Sequence, residues 1–189
     1  MKPEYQILEF KNSTTLRAWL EANHALSDGL WLRMYKKASG ITSVTYAEAL
    51  DQALCYGWID GQKKSYDEQS FLQKFTPRRA RSTWSKRNIE HVSRLSDAGL
   101  MTVAGISEVD RAKMDGRWDN AYDPPANMVI PNDFIIELRK NKKASAFYDT
   151  LNKTSLFAIG FKLQTAKKPE TKINRTIAII KMLERGQKP

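Results

Sequence analysis

The stretch from Leu54 to Asn88, LCYGWIDGQKKSYDEQSFLQKFTPRRARSTWSKRN, decides the predicted fold. The run from Trp58 leads into a strand that ends near Lys64, residues 66–68 form a polar turn, and Ser70 to Phe75 reads as a second strand. These two strands form a hairpin with a long loop. Together with the alternating run from Leu30 to Lys37 they predict a three-stranded antiparallel sheet, the smallest kind with independent stability.

Two helix-start signals precede this hairpin. Ser13 begins a helix that runs to about Ala25, with apolar side chains at three- and four-residue spacing. Thr45 begins the next helix, because Thr45 and Glu48 have the spacing of a capping box. Gly57 suits the position just after that helix ends. Further helices are predicted from Ser82 or Ser85 to Ala98 and from about Ser107 to Met114.

Three prolines within residues 124–131 mark the clearest break in the chain. Helix interiors and central strands exclude proline, so residues 123–131 are predicted to form an extended connector. It would join a core lobe, residues 1–122, to a basic helical lobe, residues 132–189. The predicted helices of the second lobe are about 133–140, 143–152, 156–165 and 170–185. The last helix is expected to bury one stripe: Ile173, Ile177, Ile180 and Leu183.

The predicted fold class is therefore α+β and mainly helical, with a small three-stranded antiparallel sheet, its helices and a C-terminal helical lobe. The charge is unevenly distributed over this arrangement. Of the net +10, residues 1–137 contribute nothing, because residues 138–189 hold 13 Lys and Arg against 3 Asp and Glu. Such a lobe favours nucleic acid, anionic lipid headgroups or an acidic protein face. The alternative is a solvated lysine-rich surface.

Several classes of protein are disfavoured by what the sequence lacks. The start MKPEYQILEFKN has no apolar core of a signal peptide, and no window holds the roughly 18 apolar residues of a membrane span. Cys55 is the only cysteine, so no internal disulfide is expected and a cytoplasmic location is predicted, with the envelope reached only through a partner. The sequence lacks four common signatures: the spacing of metal ligands, a Walker loop, a dinucleotide-binding fingerprint and a Gly-x-Ser-x-Gly elbow. We therefore expect no metal and no cofactor.

Cys55 with His24 or His91 could make a thiol nucleophile, but its place at an apolar helix end favours a buried structural cysteine. Asp60 is the remaining catalytic candidate. It stands between Ile59 and Gly61, just after a helix terminus. A carboxylate in such a turn usually accepts backbone N–H groups, which is a structural role. The functional alternative is that Asp60 acts as a base or orients Arg78 or Arg79.

A basic run follows the hairpin and suits an anionic ligand, because guanidinium groups match phosphate and carboxylate. Trp58 and Trp84 could stack on a base or ring, although core packing is the more usual role of such tryptophans. The predicted ligand-binding residues of this region are Tyr56, Trp58, Asp60, Arg78, Arg79, Ser82, Trp84, Lys86 and Asn88. In the C-terminal lobe the predicted binding residues are Lys167, Lys168 and Arg175.

Five ordered motifs are specific enough to indicate a family: ALCYGWIDG (53–61), FTPRR (75–79), SxWSKxN (82–88), GRWxxAY (116–122) and AKKPET (166–171). With them the chain resembles the YdeI/OmpD-associated family, also called bacteriocin-protection proteins, over about residues 13–186. Residues 131–186 resemble the family's OmpD-associated domain. Lys172 departs from the arginine expected after the Glu-Thr pair, which weakens the case for bidentate anion contact there.

This resemblance implies a bacterial protein linked to tolerance of bacteriocins and cationic antimicrobial peptides, without supplying a reaction. Our first hypothesis is a non-enzymatic module that binds an anionic small molecule or an acidic protein partner through a basic and aromatic cleft. The alternative is a small enzyme acting on an anionic, phosphorylated substrate with Asp60 as base. The third hypothesis is nucleic-acid binding through the C-terminal lobe, although no recognised motif is present. Direct capture of cationic peptides is disfavoured by the net charge of +10.

Overall fold

The computed structural model describes residues 4–189, which form two compact units. Unit 1 comprises residues 4–82 and 88–119, and unit 2 comprises residues 83–87 and 120–189. Residues 1–3, the first of the predicted core lobe, lie outside the described residues. The predicted lobe boundaries at residues 122 and 131 stay a prediction. No helix between residues 4 and 189 has both the length and the hydropathy of a membrane span.

Unit 1 is built on a mixed four-stranded sheet with the strand order β1-β2-β4-β3. The strands are β1 (Ile7–Leu8), β2 (Leu30–Tyr35), β3 (Trp58–Ser65) and β4 (Ser70–Pro77). β4 is antiparallel to both β2 and β3, as predicted. β1 is a further strand, parallel to β2, so the prediction of a purely antiparallel three-stranded sheet is wrong in this detail. The run Ile7-Leu8-Glu9-Phe10 suggests a short strand, but two paired residues do not indicate which strand it joins or in which direction.

The core of unit 1 is formed by every second side chain of a strand and by helix side chains that recur about every 3.6 residues. Alternate side chains of β2 are buried: Leu30, Leu32 and Met34. The helices α1 (Ser13–Asn23) and α2 (Tyr46–Cys55) add leucines at helical spacing: Leu16, Leu20, Leu50 and Leu54. The apolar pattern of the sequence therefore places this core correctly.

The outer strand β3 is polar over most of its length, and its last five residues are exposed. Lys63 Nζ lies 4.0 Å from the ring centre of Phe71, and Lys64 Nζ lies 4.3 Å from the ring centre of Trp31. Both lysines therefore make cation–π contacts with aromatic rings of other strands. The pairing of β3 with β4 also shifts register between Asp60 and Lys63.

Two helices follow the sheet: α3 (Lys86–Asp97), which begins within unit 2, and α4 (Val103–Met114). α4 packs directly on the last turn of α2. The hydroxyl of Thr102, which caps α4, donates to the carbonyl oxygen of Cys55 at 2.7 Å. Gly105 faces the same carbonyl so closely that a side chain there would overlap it. A glycine at this position is thus what allows the two helices to touch.

The capping box that was predicted for α2 is confirmed: the Thr45 hydroxyl accepts from the Glu48 backbone N–H, and the Glu48 carboxylate accepts from the Thr45 backbone N–H at 2.8 Å. The backbone N–H of Thr45, and then its hydroxyl, hold the pKa of Glu48 below its usual value. Since the folded pKa is depressed, Glu48 stabilises the fold above its unfolded pKa of about 4.3. That contribution is lost as the pH falls through the folded pKa.

Removing this cap should cost more stability at neutral than at acidic pH. We expect Thr45→Ala to lower the free energy of unfolding by about 1 kcal/mol at pH 7. At about pH 3, where Glu48 is increasingly protonated in both states, the loss should be smaller. Urea unfolding at both pH values measures the difference, and Thr14→Ala, on the exposed side of α1, is the neutral control. An equal loss at both pH values would contradict the role of Glu48.

Unit 2 contains four helices among its described residues: α5 (Asn132–Arg139), α6 (Lys142–Tyr148), α7 (Lys153–Gln164) and α8 (Pro169–Glu184). Each begins within three residues of the predicted start. Their apolar faces form one core: Phe134, Leu138, Ala144, Ile159, Leu163, Ile179 and Leu183. The C-terminal helical lobe predicted from periodicity is therefore present in the structure.

The buried stripe predicted for the last helix is partly wrong. Leu183 is buried, but Ile173 is 59 % exposed and Ile177 is 48 % exposed. Ile179, which the predicted stripe omits, is buried instead. α8 carries isoleucine on two sides, and periodicity alone did not reveal which side packs against the other helices. The exposed side of α8, with Ile173 and Ile177, forms one wall of a groove.

Candidate functional site

The end of β4 and the residues after it form a small cavity of about 280 Å³, which we call the arginine pocket. Its lining residues are Tyr5, Asp28, Thr76, Pro77, Arg78 and Arg79. The backbone N–H of Arg78 donates to the carbonyl oxygen of Gly57 at 3.0 Å, so the contact between β4 and the start of β3 continues one residue past Pro77. The Arg78 side chain is 5 % exposed, whereas Arg79 is exposed. Two consecutive arginines thus line one cavity, and the first is buried while the second is exposed.

One wall of the arginine pocket depends on Gly29. Gly29 has φ +142°, and a Cβ there would lie 2.7 Å from Thr76 Cγ2 and 2.9 Å from a ring carbon of Tyr5. Only glycine both adopts this backbone conformation and lets the side chains of Thr76 and Tyr5 come so close to the backbone. The Asp28-Gly29 turn therefore brings Asp28 beside the end of β4.

The loop after the pocket is fastened by two hydrogen bonds at Ser82. Its hydroxyl accepts from the backbone N–H of Arg79 at 3.0 Å, and its carbonyl oxygen accepts from Arg117 Nη1 at 3.0 Å. Arg117 is 4 % exposed, and its Nε lies 2.7 Å from the Asp115 carboxylate. Sequence reasoning missed Arg117 as a positioning residue, although the GRWxxAY motif includes it. Ser82 acts here by fixing the loop that carries Arg79.

Asp60 lies in β3, opposite Phe75 of β4. Its carboxylate accepts a hydrogen bond from the Tyr46 hydroxyl at 2.9 Å. Asp60 was predicted to lie in a turn, but it lies in a strand. The hydrogen-bond donor to its carboxylate is the Tyr46 side chain, whereas backbone N–H groups were predicted. The role of Asp60 as a base or as an orienting group for the arginines stays a prediction.

Trp58 and Tyr56 are both buried in unit 1. Trp58 is 1 % exposed, its Nε1–H donates to the His24 carbonyl oxygen at 3.1 Å, and its ring meets Trp19 edge-on at 5.8 Å. Burial raises the pKa of the Tyr56 hydroxyl, and the Arg17 guanidinium lies 5.4 Å from the Tyr56 ring centre. These contacts are core packing, and ligand stacking by either ring stays a prediction.

Two further groups of unit 1 bear on the predicted chemistry. Burial also raises the pKa of the Cys55 thiol, which keeps it protonated at neutral pH. His91 Nδ1 lies 2.8 Å from the Asp51 carboxylate, which Arg94 also binds at 2.7 Å. Asn88, another predicted ligand residue, is buried near the start of α3.

In unit 2, Trp84 and Lys86 hold the segment around Tyr122. The Tyr122 N–H donates to the Trp84 carbonyl oxygen at 3.0 Å, and the Lys86 N–H donates to the Tyr122 carbonyl oxygen at 2.9 Å. Lys86 Nζ lies 2.6 Å from the Asp123 carboxylate, and this contact is the main cause of the lowered pKa of Asp123. The Trp84 side chain is 2 % exposed. Both residues thus have a structural role in unit 2, and their ligand-binding role stays a prediction.

The predicted basic face of unit 2 consists of two exposed lysines and one engaged arginine. Lys167 and Lys168 are exposed just before α8. Arg175 Nη1 donates to the Lys162 carbonyl oxygen at 2.5 Å and to the Thr165 hydroxyl at 3.1 Å. A cation in this position suits the negative end of the α7 dipole. Lys172, the departure from the family motif, forms an ion pair with Asp133 at 2.5 Å.

The fold and the candidate site define an α+β protein with an arginine-lined cavity in one unit and a basic four-helix second unit. The chain belongs to the family described as "Domain of unknown function (DUF8412)", whose model matches residues 8–108, more than half of the chain. Residues 127–186 match the model described as "Bacteriocin-protection, YdeI or OmpD-Associated". That match confirms the predicted resemblance for this part of the chain, and of the five motifs only AKKPET lies within it. No curated protein and no solved structure matches the chain.

Proposed function

We propose that the protein is a non-enzymatic binding module of the bacteriocin-protection type that holds an anionic group in the arginine pocket. The supporting observation is that Arg78 and Arg79 line the same small cavity. A guanidinium group presents its donors as a planar fork that fits carboxylate or phosphate oxygens. Tyr5 and Thr76 line the same cavity and carry hydroxyl groups that can complete the hydrogen bonding of such an anion.

The size and charge of the pocket restrict its ligand. A cavity of about 280 Å³ is small for a whole nucleotide and suits one phosphate or carboxylate group. Asp28 lines the same cavity, and its negative charge opposes a second anion close by. The proposed ligand therefore presents one anionic group, a phosphate or a carboxylate, either on a small molecule or on an acidic side chain of a protein partner.

Unit 2 offers a separate basic surface for an acidic partner. Among the described residues, the ion pairs of unit 2 engage Lys86, Arg139, Lys140 and Lys172. Lys167 and Lys168 are exposed and adjacent in the chain just before α8, and we assign this pair of cations to a partner. Nucleic acid is the competing ligand for this surface, and a steep loss of affinity with salt would identify it. A cytoplasmic location, with the envelope reached through a partner, belongs to the same proposal.

The enzyme alternative has less support. A general base must be within hydrogen-bond reach of its substrate proton, and the Asp60 carboxylate already accepts from Tyr46. This contact leaves further acceptor positions on the carboxylate, but Asp60 does not line the arginine pocket and so is not placed beside an anion held there. The binding module needs only the two arginines that do line the pocket.

Removing the accessible guanidinium should weaken anion binding. We expect Arg79→Ala to reduce the affinity for inorganic phosphate or acetate about tenfold, since a hydrogen bond to a charged group contributes roughly 1.5–3 kcal/mol. Asp28→Asn should tighten the binding of the same anions. Isothermal titration calorimetry measures both changes.

Arg81→Ala is the matched control, because Arg81 is also exposed but does not line the pocket. The affinity of the Arg81→Ala variant for the two anions should equal that of the wild type. A strain that lacks the protein and is challenged with a bacteriocin should be rescued by the Arg81→Ala gene and not by the Arg79→Ala gene. Equal behaviour of the two variants would overturn the site assignment.

A further inference from the structure

An apolar groove lies between α5 and α8 in unit 2. It has a volume of about 570 Å³. Three isoleucines that line it are exposed to solvent: Ile136 by 55 %, Ile173 by 59 % and Ile177 by 48 %. The core of unit 2 uses other residues of the same helices, including Leu138 and Ile179. The groove is thus an apolar surface beyond what the packing of unit 2 requires.

The isoleucines of α8 form a row with the geometry of a helix-binding surface. Ile173, Ile177 and Ile180 follow one another at spacings of four and three residues, so they lie on one side of α8. At 1.5 Å per residue the row is roughly 10 Å long, or about two helical turns. Grooves that bind an amphipathic helix present anchors at this spacing.

The acidic residues of unit 2 gather around this groove. Five carboxylate side chains are present in residues 132–189, a stretch that is otherwise strongly basic. Asp133 and Glu137 line the groove and are 63 % and 52 % exposed. Glu170 lies three residues before Ile173, and Glu184 lies seven residues after Ile177. At this helical spacing the two glutamates extend the isoleucine row at its two ends. Four of the five acidic side chains therefore belong to the groove or to its ends.

The two carboxylates that line the groove are each fixed by a lysine. Lys172 Nζ lies 2.5 Å from Asp133, and Lys140 Nζ lies 2.6 Å from Glu137. The hydrogen bond from Lys172 holds the pKa of Asp133 below its usual value, so this carboxylate is ionised at neutral pH. Both carboxylates remain exposed and can accept further hydrogen bonds from cations.

We propose that the α5–α8 groove docks a cationic amphipathic helix, whose apolar stripe covers Ile136, Ile173 and Ile177 and whose flanking lysines or arginines meet the surrounding carboxylates. The net charge of the chain opposes cationic ligands in general, but a bound helix experiences chiefly the nearby charges, because salt screens the distant ones. The groove and the arginine pocket bind ligands of opposite charge. This docking therefore does not rest on the function proposed above.

Fluorescence anisotropy with the full chain and a labelled 18-residue leucine–lysine amphipathic peptide tests the proposal. We expect saturable binding that Ile177→Gln weakens about tenfold, as expected when a buried isoleucine anchor is lost. Ile106→Gln is the matched control: Ile106 in α4 is 46 % exposed, close to the 48 % of Ile177, and should not affect binding. Glu137→Gln, at a carboxylate in the groove wall, should weaken binding about threefold to tenfold.

Two further peptides make every outcome decisive. A scrambled peptide of the same composition cannot form an apolar stripe and should not bind. A leucine–glutamate helix of the same length should bind at least tenfold more weakly than the leucine–lysine helix. Equal binding of either peptide would overturn the proposal, as would an unchanged affinity of Ile177→Gln. A wild-type dimer in light scattering that dissociates on Ile177→Gln would show a second copy as the occupant and would overturn it as well.

Discussion

Replacing Gly105 with alanine is expected to lower the free energy of unfolding by about 3 kcal/mol. The new Cβ would overlap the carbonyl oxygen of Cys55 and would lie 2.8 Å from the carbonyl oxygen of Leu54. Both are backbone atoms in the last turn of α2, so no side-chain rotation can relieve the clash. α4 would have to move away from α2, and the hydrogen bond from Thr102 to Cys55 would lengthen with it.

Urea unfolding followed by circular dichroism measures this loss. Gly61→Ala is the control, because the nearest atoms to its new Cβ are side-chain carbons of Lys74 at 3.6–3.8 Å, which is ordinary contact. That variant should stay within about 0.5 kcal/mol of the wild type. Similar stability of the two variants would contradict the direct packing of α4 on α2.

Trp58→Ala should be more destabilising still, at about 4 kcal/mol. The indole is 1 % exposed and packs against Trp19, so its removal leaves a large cavity in the core of unit 1. The carbonyl oxygen of His24 would also lose its donor, which adds the cost of an unsatisfied polar group. Thermal unfolding by circular dichroism should show a clear drop in midpoint.

A tryptophan at a less buried position provides the comparison for Trp58. Trp31 in β2 is half-buried and contacts Lys64, so Trp31→Ala should cost roughly 1–2 kcal/mol. The milder variant Trp58→Phe should keep the affinity for inorganic phosphate at the wild-type value. Loss of phosphate binding in a well-folded Trp58→Phe would show that the indole contacts the ligand after all.

The sequence predicts the secondary structure of this protein well wherever the pattern is long enough to be periodic. The alternation in residues 30–35 and 70–75 identifies β2 and β4 as strands, although not as neighbours, and Thr45 and Glu48 mark the start of α2, where their side chains cap it. The buried side of α8 cannot be read from hydrophobic periodicity, because a helix with isoleucine on two sides has no unique apolar stripe. Only its packing against α6 and α7 determines that Ile179 and Leu183 face the core.

The candidate site was only partly predictable for a related reason. Arg78 and Arg79 stand out as a basic run, but the other residues of the arginine pocket come from distant parts of the chain: Tyr5, Asp28 and Thr76. Nothing in the sequence pairs the turn at Asp28 with the end of β4. The close packing of Gly29 against Thr76 brings them together, and such packing has no local sequence signal.

The lysines of β3 affect how this sheet behaves in a concentrated solution. A free outer strand offers unpaired backbone groups on which another chain can add, and this is how amyloid-like growth begins. A strand added to β3 would meet exposed charged side chains, among them Lys63 and Lys64, and would have to match an irregular register at Asp60. This border of the sheet is therefore a poor template for aggregation. A protein partner must accordingly recognise side chains here, since extension of the sheet by its own backbone is disfavoured.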